Sequence, residues 1–315
     1  MKNHLSAEHF QTEEAAFAYV EAKLWANGPV CHHCGETGRI GRLQGKTNRA
    51  GLYKCYACRK PFTVRMGTIF ESSHVPLRVW LQVMYLVCSS KKGISTNQIQ
   101  RTLQCSMKTA WFLTHRVREC MKETTAIIGP IGGAGRTVEG DETYIGGKPE
   151  NRLSGEVLPK KSVMSLVERD GRVRSFHVPY VDAQSLHPII AKHVHTDSRF
   201  VTDEARVYRI PGRTMADHQS VNHFAKEYVR DDVFTNTVEG YFSVLKRGIY
   251  GVYQHVSEAH LHRYLAEFDF RHSNRARLGV DDKARADLAL AGAVGKRLTY
   301  QGTREKWTAE PRSTF

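Results

Sequence analysis

Four of the seven cysteines form two Cys-x-x-Cys pairs, Cys31 with Cys34 and Cys55 with Cys58, and 20 residues separate the pairs. A gap of two residues lets both thiolates of a pair reach one ion, so the quartet predicts a tetrahedral structural Zn²⁺ site of the zinc-ribbon type. Eight Lys and Arg residues lie between positions 39 and 65, and we expect two of them, Arg59 and Lys60, to contact nucleic acid. A purely structural role for the ribbon stays open.

Three acidic residues occupy positions that suit metal-ion chemistry. Asp141 lies in the strand-like segment VEGDETYIGGK, Asp203 directly follows the apolar stretch 200–202, and Glu239 lies near the start of a predicted helix. Enzymes that transfer polynucleotide strands bring two or three carboxylates together around two Mg²⁺ ions, and such hard cations take oxygen ligands. We therefore expect Asp141, Asp203 and Glu239 to hold two Mg²⁺ or Mn²⁺ ions. Each acid taken alone is more simply explained as a solvated surface residue.

Nearby acids compete for the same role: Glu139, Glu142 and Glu204. Alternation along a strand puts Glu139 and Asp141 on the same face, so strand parity does not distinguish them. Four histidines also lie near these segments: His218, His223, His255 and His260. Packing or simple exposure is the more economical explanation for each histidine.

The predicted helix around Glu239 supports its selection. An apolar stripe at helical spacing is formed by Val238, Tyr241, Phe242, Leu245 and Ile249. On another face lie Glu239, Ser243 and Lys246. An acid that binds metal beside a lysine that meets phosphate is expected at a strand-transfer site, so Lys246 is a candidate DNA contact.

Composition agrees with a nucleic-acid partner. The 315 residues carry 46 Lys and Arg against 32 Asp and Glu, a net charge of +14, and 41% are hydrophobic, which excludes wholesale disorder. The first 125 residues hold 18 basic but only 8 acidic residues, an excess typical of phosphate contact. The longest apolar run, 79–88, is too short to span a bilayer. With no signal-peptide segment at the N-terminus, we expect a cytoplasmic, nucleoid-associated protein without a membrane partner.

Periodicity and turn residues predict the elements that position these groups. Helices are expected over residues 12–26, 76–88, 95–103, 106–121, 183–195, 219–230, 237–250 and 257–272. Short strands and turns are expected over 30–65, and longer strands over 137–145, 162–169, 172–179 and 200–202. The glycine-rich segment 129–136 is expected to be a linker or the lead-in to a strand.

The helices predicted at 95–103 and 106–121 are joined by a short turn, as in a helix-turn-helix motif. Ser106 is suited to cap the second helix, whose inward residues would be Trp111, Val117 and Leu113. Outward-facing residues are then expected to be Lys108, Thr109, His115, Arg116 and Arg118. We expect Lys108, Arg116 and Arg118 to contact DNA. An ordinary helical bundle is the alternative.

Several stretches resemble the DDE transposases of bacterial insertion sequences, specifically the insertion-sequence 1595 family with its N-terminal zinc ribbon. The matching segments are CHHCG, YKCYACRKPFTVRMGTIFESSHVPLRVW, SSKKGIS, KTAWFLTHRVRE, VEGDETYIGGK, TNTVEGYFSVLKRGIYGVYQHVSEAHLHRYLAEFDFRHSNR and GKRLTY. They span nearly the whole chain, and the long segment that begins at Thr235 is highly specific.

The resemblance implies a mixed fold class, α+β or α/β, with an N-terminal zinc ribbon and helix-turn-helix followed by a ribonuclease-H-like catalytic domain. It implies that the acids are Asp141, Asp203 and Glu239 and that Lys246, seven residues after Glu239, contacts transposon-end DNA. Some family members have Asn at the third position, where this chain has the stronger metal ligand. The family commonly has His where this chain has Phe234.

We expect four segments: an N-terminal helix and zinc ribbon at 1–70, the helix-turn-helix at 71–128, the catalytic domain at 129–275 and a peripheral tail at 276–315. The expected function is a transposase that binds terminal inverted repeats, frees a 3′-OH and joins it to target double-stranded DNA, acting as at least a dimer. The alternatives are a catalytically silent DNA-binding regulator, a metal-dependent nuclease that does not join strands, and a zinc-stapled interaction module.

Overall fold

The computed structural model describes residues 4–45, 48–123, 129–146 and 160–298. The chain divides into two compact units. Unit 1 comprises Met1–Met84, Phe112–Cys120 and Asp287–Phe315, and unit 2 comprises Tyr85–Trp111 and Met121–Ala286. The four expected segments stay a prediction, and residues 124–128 and 299–315, at the ends of two of them, lie outside the described part.

The N-terminal part of unit 1 is a helix followed by a small antiparallel sheet. Helix α1 (Glu13–Leu24) begins after Thr12, whose hydroxyl accepts a hydrogen bond from the backbone N–H of Ala15 at 3.3 Å. Strands β1 (Ile40–Arg42), β2 (Tyr53–Cys55) and β3 (Pro61–Phe62) pair in the order β1-β2-β3. Only Cys31, Cys55 and Phe62 are fully buried in the associated core. Such a small apolar core is consistent with a fold that is expected to be held together by a metal site.

Three helices follow, as the sequence predicts: α2 (Leu77–Ser89), α3 (Thr96–Leu103) and α4 (Met107–Cys120). Ser106 caps α4, since its Oγ accepts a hydrogen bond from the N–H of Thr109 at 3.1 Å. Gln104, with φ +50°, makes the left-handed turn between α3 and α4. The expected turn and cap are therefore present.

The C-terminal half of α4 is buried, contrary to the expectation of a DNA-facing surface. His115, Arg116 and Arg118 are only 1%, 5% and 0% exposed. Arg116 donates instead to the backbone carbonyls of Ile69 and Glu71. Leu113 and Val117 are buried as predicted, but the rest of this half-helix is enclosed as well. The placement of Arg116 and Arg118 on a DNA-binding face is therefore wrong, whereas Lys108 in the first turn is exposed.

Unit 2 contains a five-stranded mixed sheet. Its strands are β4 (Thr137–Ile145), β5 (Lys161–Glu168), β6 (Val173–Val178), β7 (Arg199–Asp203) and β8 (Asp217–Val221), in the order β6-β5-β4-β7-β8. Strands β4, β5 and β6 are antiparallel neighbours, whereas β7 and β8 run parallel to β4. This is the strand order of the ribonuclease-H-like fold, so the predicted mixed α/β class is confirmed.

Helices cover both faces of this sheet. On one face, Val138 and Phe200 pack with Leu186 of helix α5 (Ala183–His193). A short helix α6 (Arg209–Gly212) follows β7. On the other face, Val163 and Val167 pack against α7 (Asn236–Gly248) and α8 (Glu258–Ser273). Alternation along the strands separates the two cores, so Glu139, Asp141 and Ile145 share the α7 face.

The helix predicted at residues 219–230 is wrong. This segment contains the end of β8, a 3₁₀ turn at His223–Ala225 and β9 (Val229–Arg230), which pairs with β10 (Val233–Phe234). Lys226 and Asp231 have φ values of +61° and +53°, which an α-helix does not accommodate. Pairing with strand β7 keeps β8 extended. The local spacing of apolar residues does not show that β8 has this partner, because β7 lies elsewhere in the sequence. Helix α9 (Asp282–Ala291) is the last helix or strand in the described ranges.

No helix in the described ranges combines the length and the apolar character needed to cross a bilayer.

Candidate metal centre and active site

The four cysteine sulfurs of unit 1 converge. All four lie within 4.8 Å of one another, and the Sγ–Sγ distances are 3.7 Å for Cys31–Cys58 and 3.7 Å for Cys34–Cys55. Tetrahedral Zn²⁺ with Zn–S bonds of about 2.3 Å requires sulfurs roughly 3.8 Å apart, so the quartet fits this ion. Hydrogen bonds from the backbone N–H groups of Cys58 and Ala57 lower the pKa of the Cys55 thiol, whereas burial and the neighbouring thiols raise the pKa of Cys34, so the four sulfurs share their negative charge most easily when a cation is bound.

The parallel pairing of β4 and β7 aligns two of the predicted acids. The strands pair from Thr137 with Arg199 to Glu139 with Val201. Asp141 and Asp203 each follow the last of these pairs by two residues. They therefore lie level with each other on the sheet face that α7 covers.

The electrostatics join Glu239 to this pair. Burial raises the pKa of the Asp141 carboxyl to about 7, and the negative charges of Glu142, Asp203 and Glu239 act in the same direction. Burial is also the main cause of the raised pKa of Asp203. The charges of Asp203 and Glu239 thus both reach the Asp141 carboxyl, and a divalent cation placed there would offset this repulsion.

The carboxylates are spaced more widely than the thiolates. Among the described residues, only the cysteine quartet brings three or more Cys, His, Asp or Glu ligand atoms within 4.8 Å of one another. Oxygen-only ligands from two Asp and one Glu fit Mg²⁺ or Mn²⁺ rather than Zn²⁺.

Side chains around the start of α7 orient Glu239. Its Oε1 accepts a hydrogen bond from the Thr235 hydroxyl at 2.9 Å. Nε2 of His223 lies 3.9 Å from the same oxygen and 3.3 Å from Thr235 Oγ1. His223, one of the four histidines near these segments, therefore contacts a predicted acid. No local pattern distinguishes His223 from the other three histidines, because Glu239 lies 16 positions further along the chain.

Glu139, one of the competing acids, fastens α7 to β4. Its side chain is fully buried and pairs with Arg169 Nε at 2.7 Å. It also accepts hydrogen bonds from the N–H groups of Thr237 and Val238 at 2.8 and 3.0 Å, and from the Thr237 hydroxyl at 2.8 Å. These are the free donors of a helix N-terminus, where a negative charge is favoured. Glu139 therefore fixes the helix that carries Glu239 to the strand that carries Asp141.

The other two competing acids also have protein partners. Glu142 accepts a hydrogen bond from the hydroxyl of Tyr208. Glu204 accepts hydrogen bonds from the N–H groups of His223 and Phe224 at 3.0 and 3.1 Å and thereby caps the 3₁₀ turn. Glu139 and Glu204 thus hold helix or turn N-termini, whereas Glu142 also acts on the pKa of Asp141.

Phe234 belongs to the same anchoring network. The guanidinium of Arg169 lies 3.7 Å from the centroid of its ring, and Arg169 Nη2 donates to the Phe234 carbonyl at 2.9 Å. The aromatic ring in the place of the usual His therefore packs beneath the arginine that pairs with Glu139.

The predicted DNA-contacting cations other than Arg116 and Arg118 remain accessible. Arg59 and Lys60 are exposed beside Cys58, and Lys108 is exposed on α4. Lys246 is half-buried on α7, one of the residues lining an open groove of about 770 Å³. Further lining residues are Lys92, Arg247 and Tyr250. This groove is rich in positive charge, as expected for phosphate contact.

Comparison with known proteins agrees with this architecture. Residues 132–273 match the family model of the ISXO2-like transposase domain, and residues 11–61 match that of the transposase zinc-ribbon domain. Both models describe the insertion-sequence 1595 group. The chain is also 27% identical over 282 residues to an uncharacterized protein in transposable element ISH50 of Halobacterium salinarum. The alignment covers 83% of this chain and 91% of that relative.

Proposed function

Because the chain belongs to the insertion-sequence 1595 family of DDE transposases, we propose that it cuts one DNA strand at each end of its element and joins the freed 3′-OH to target DNA. The observation that supports this proposal is that Asp141 and Asp203 lie level on the paired strands β4 and β7, and that the charges of Asp203 and Glu239 both act on the half-buried Asp141 carboxyl. Such a group of acids is costly for folding unless it serves a cation-dependent reaction.

The three carboxylates hold the catalytic ions in this proposal. Two Mg²⁺ or Mn²⁺ ions bound there would activate the attacking oxygen and stabilise the leaving one. Thr235 and His223 keep the Glu239 carboxylate in place. Lys246, on the same face of α7 as Glu239, meets a phosphate of the transposon end. Water and then the 3′-OH act as the nucleophiles, so no side chain needs to form a bond to DNA.

Recognition of the terminal inverted repeats is assigned to the basic N-terminal region. Zn²⁺ in the cysteine quartet holds the ribbon, and Arg59 and Lys60 contact the phosphate backbone. Lys108, in the first turn of α4, is the remaining candidate from the helix-turn-helix, where the start of the second helix approaches the bases. Affinity should fall steeply with salt, because each phosphate contact releases counterions.

An element has two ends, so coordinated reaction at both requires at least a dimer bound to DNA. The partners are double-stranded DNA, as transposon ends and as target, and a second copy of the chain. A protein that acts on chromosomal DNA in this way is expected to be found with the nucleoid.

The test is a strand-transfer assay with Mg²⁺ and labelled DNA that carries the repeats flanking this gene. Asp203→Ala should abolish cleavage and joining while leaving DNA binding unchanged. Asp197→Ala is the matched control, because this exposed acid precedes the same strand β7. It should leave activity at the wild-type rate. Cleavage by Asp203→Ala would refute the assignment of that residue.

The products also distinguish the competing functions. Cleaved but unjoined DNA from the wild type would indicate a nuclease. Salt-sensitive, repeat-specific binding without cleavage would indicate a regulator. Weak binding that does not change with salt would favour a zinc-stapled interaction module.

A further inference from the structure

The loop between β8 and β9 carries an aromatic side chain that the rest of the protein leaves almost uncovered. Phe224 is 94% exposed, more than any other large hydrophobic residue in the described part of the chain. Tyr228, four residues further along, is 59% exposed. Single exposed apolar residues are common on protein surfaces, so the position of Phe224 in the fold decides whether its exposure has a function.

Hydrogen bonds hold the backbone of Phe224 in a defined place. Its N–H donates to Glu204 Oε1 at 3.1 Å, and the N–H of His223 donates to Glu204 Oε2 at 3.0 Å. The side chain of Asn222 accepts a further hydrogen bond from the N–H of Ala225 at 3.0 Å. The turn therefore presents the Phe224 ring to solvent from a fixed backbone.

This turn lies directly beside the proposed metal ligands. Glu204, which binds the Phe224 N–H, is the residue after Asp203. His223, the residue before Phe224, has its Nε2 atom 3.9 Å from Glu239 Oε1. Strands β7 and β8 are parallel neighbours, so the turn leaves the sheet at the edge where Asp203 lies. A DNA strand whose phosphate reaches these acids is therefore expected to pass close to the Phe224 ring.

The charges around the turn also suit a DNA strand. Arg206 and Lys226 are exposed on the segments that follow β7 and β8, and neither forms an ion pair within the described ranges. Two acids beside the turn are already engaged, Glu204 by two backbone N–H groups and Glu227 by Arg230 at 3.3 Å. An aromatic ring combined with free cations is the arrangement that binds the bases and phosphates of unpaired nucleic acid.

We propose that Phe224 stacks on an unpaired base of the transposon end, beside the phosphodiester bond that is cut, and that Arg206 and Lys226 contact the adjoining phosphates. A base that leaves its duplex so that the strand can reach the acids loses its stacking partners, and an aromatic side chain replaces one of them. The inference rests on the proposed transposase function and adds a DNA contact to it.

The test uses duplexes that carry the repeats flanking this gene, with one position at a time changed across the boundary between repeat and flanking DNA. A mismatch leaves the base present but unpaired, whereas an abasic site removes the base and keeps the phosphate. Affinity is measured by fluorescence anisotropy without divalent ions, so the result does not depend on cleavage. At one position or more, wild type should bind the mismatched duplex at least fivefold more tightly, because stacking one base on an aromatic ring changes affinity roughly five- to a hundredfold.

Three variants assign this preference to the ring. Phe224→Ala should bind both duplexes with the affinity that wild type has for the abasic one. Phe224→Trp keeps an aromatic face and should retain the preference. Tyr180→Ala is the matched control, because Tyr180 is a 71% exposed aromatic residue outside this loop, and it should retain the preference as well. Since the Phe224 ring is exposed, its removal should leave the thermal unfolding temperature unchanged.

Equal affinity of wild type for the mismatched and abasic duplexes at every position overturns the proposal, as does a preference that survives in Phe224→Ala. The same preference on DNA without the repeats would assign the base to target DNA and overturn it too. A changed oligomeric state of Phe224→Ala in sedimentation, with the DNA preference intact, would assign the ring to a contact between copies of the chain. Wild type that shows the preference but never cuts or joins DNA would contradict the proposed function and leave the base contact supported.

Discussion

Replacing Glu139 by Gln should loosen the attachment of α7 to β4. The change keeps the size of the side chain and removes its negative charge. Glu139 is fully buried and accepts four hydrogen bonds, one from Arg169 and three from the first residues of α7. A Gln amide offers one acceptor oxygen and places an NH₂ group where the other carboxylate oxygen stood. At least one donor must then face another donor.

The expected cost follows from those contacts. Hydrogen bonds to a charged acceptor contribute roughly 1.5–3 kcal/mol, compared with about 0.5–1.5 kcal/mol for a neutral one. Removing one partner of a buried ion pair costs on the order of 3–5 kcal/mol. Arg169 keeps its bonds to the carbonyls of Asp232 and Phe234, which limits its own loss. We therefore expect Glu139→Gln to destabilise the attachment of α7 by about 3 kcal/mol.

Amide hydrogen exchange reports this change locally. The amides of α7, Thr237 and Val238 included, should exchange about a hundredfold faster, because each 1.4 kcal/mol changes an opening equilibrium tenfold. Strand transfer should slow as well, since Glu239 would no longer be held against Asp141. Glu168→Gln is the matched control, because its partner Arg136 is 58% exposed at 3.1 Å. A pair with one solvent-exposed member contributes about 1 kcal/mol or less.

The reasoning fails if Glu139→Gln leaves the exchange rates of α7 within a few-fold of those of the Glu168→Gln control. A double-mutant cycle with Arg169→Met sharpens the test. The two changes should be less than additive, because each removes the same ion pair. Full additivity would show that Glu139 and Arg169 act independently.

Three further predictions concern the metal sites and the sheet. Cys55→Ser should reduce the amount of bound zinc, measured by elemental analysis. Wild-type protein that contains no zinc would contradict the assignment of the four cysteines as a zinc site. Without divalent ions, Asp141→Asn should stabilise the protein above pH 7, by up to about 4 kcal/mol in thermal unfolding. Because the pKa of the Asp141 carboxyl is raised to about 7 in the folded protein, the wild type loses stability as the pH rises from about 4 to 7. If Asp141→Asn stabilised the protein equally at pH 4, this prediction would be contradicted. Gly140→Ala should cost about 1–3 kcal/mol in urea unfolding, because its Cβ would lie 2.7 Å from the Phe200 ring. The helical control Gly240→Ala meets nothing within 4 Å and should be neutral or stabilising.

Local pattern predicted the elements that carry the site. The bounds of β4 (Thr137–Ile145) agree with the expected strand, and all five residues of the α7 stripe are buried. Both follow from the spacing of apolar residues, which a strand or helix turns directly into a buried face. The helix predicted over 219–230 failed because pairing with β7 keeps residues 219–221 extended, and a 3₁₀ turn and the β9–β10 pair occupy the rest of that segment.

The sequence by itself determined the one site whose ligands lie at a fixed, short spacing along the chain. The two Cys-x-x-Cys pairs define a thiolate site because the residues within each pair are held together by the chain. Only the tertiary structure showed that Glu139 is fully buried against Arg169 and the start of α7, and that Asp141 and Asp203 lie level on neighbouring strands. It also buried Arg116 and Arg118. Burial and hydrogen bonding depend on groups far apart in the chain, and no local pattern encodes those distances.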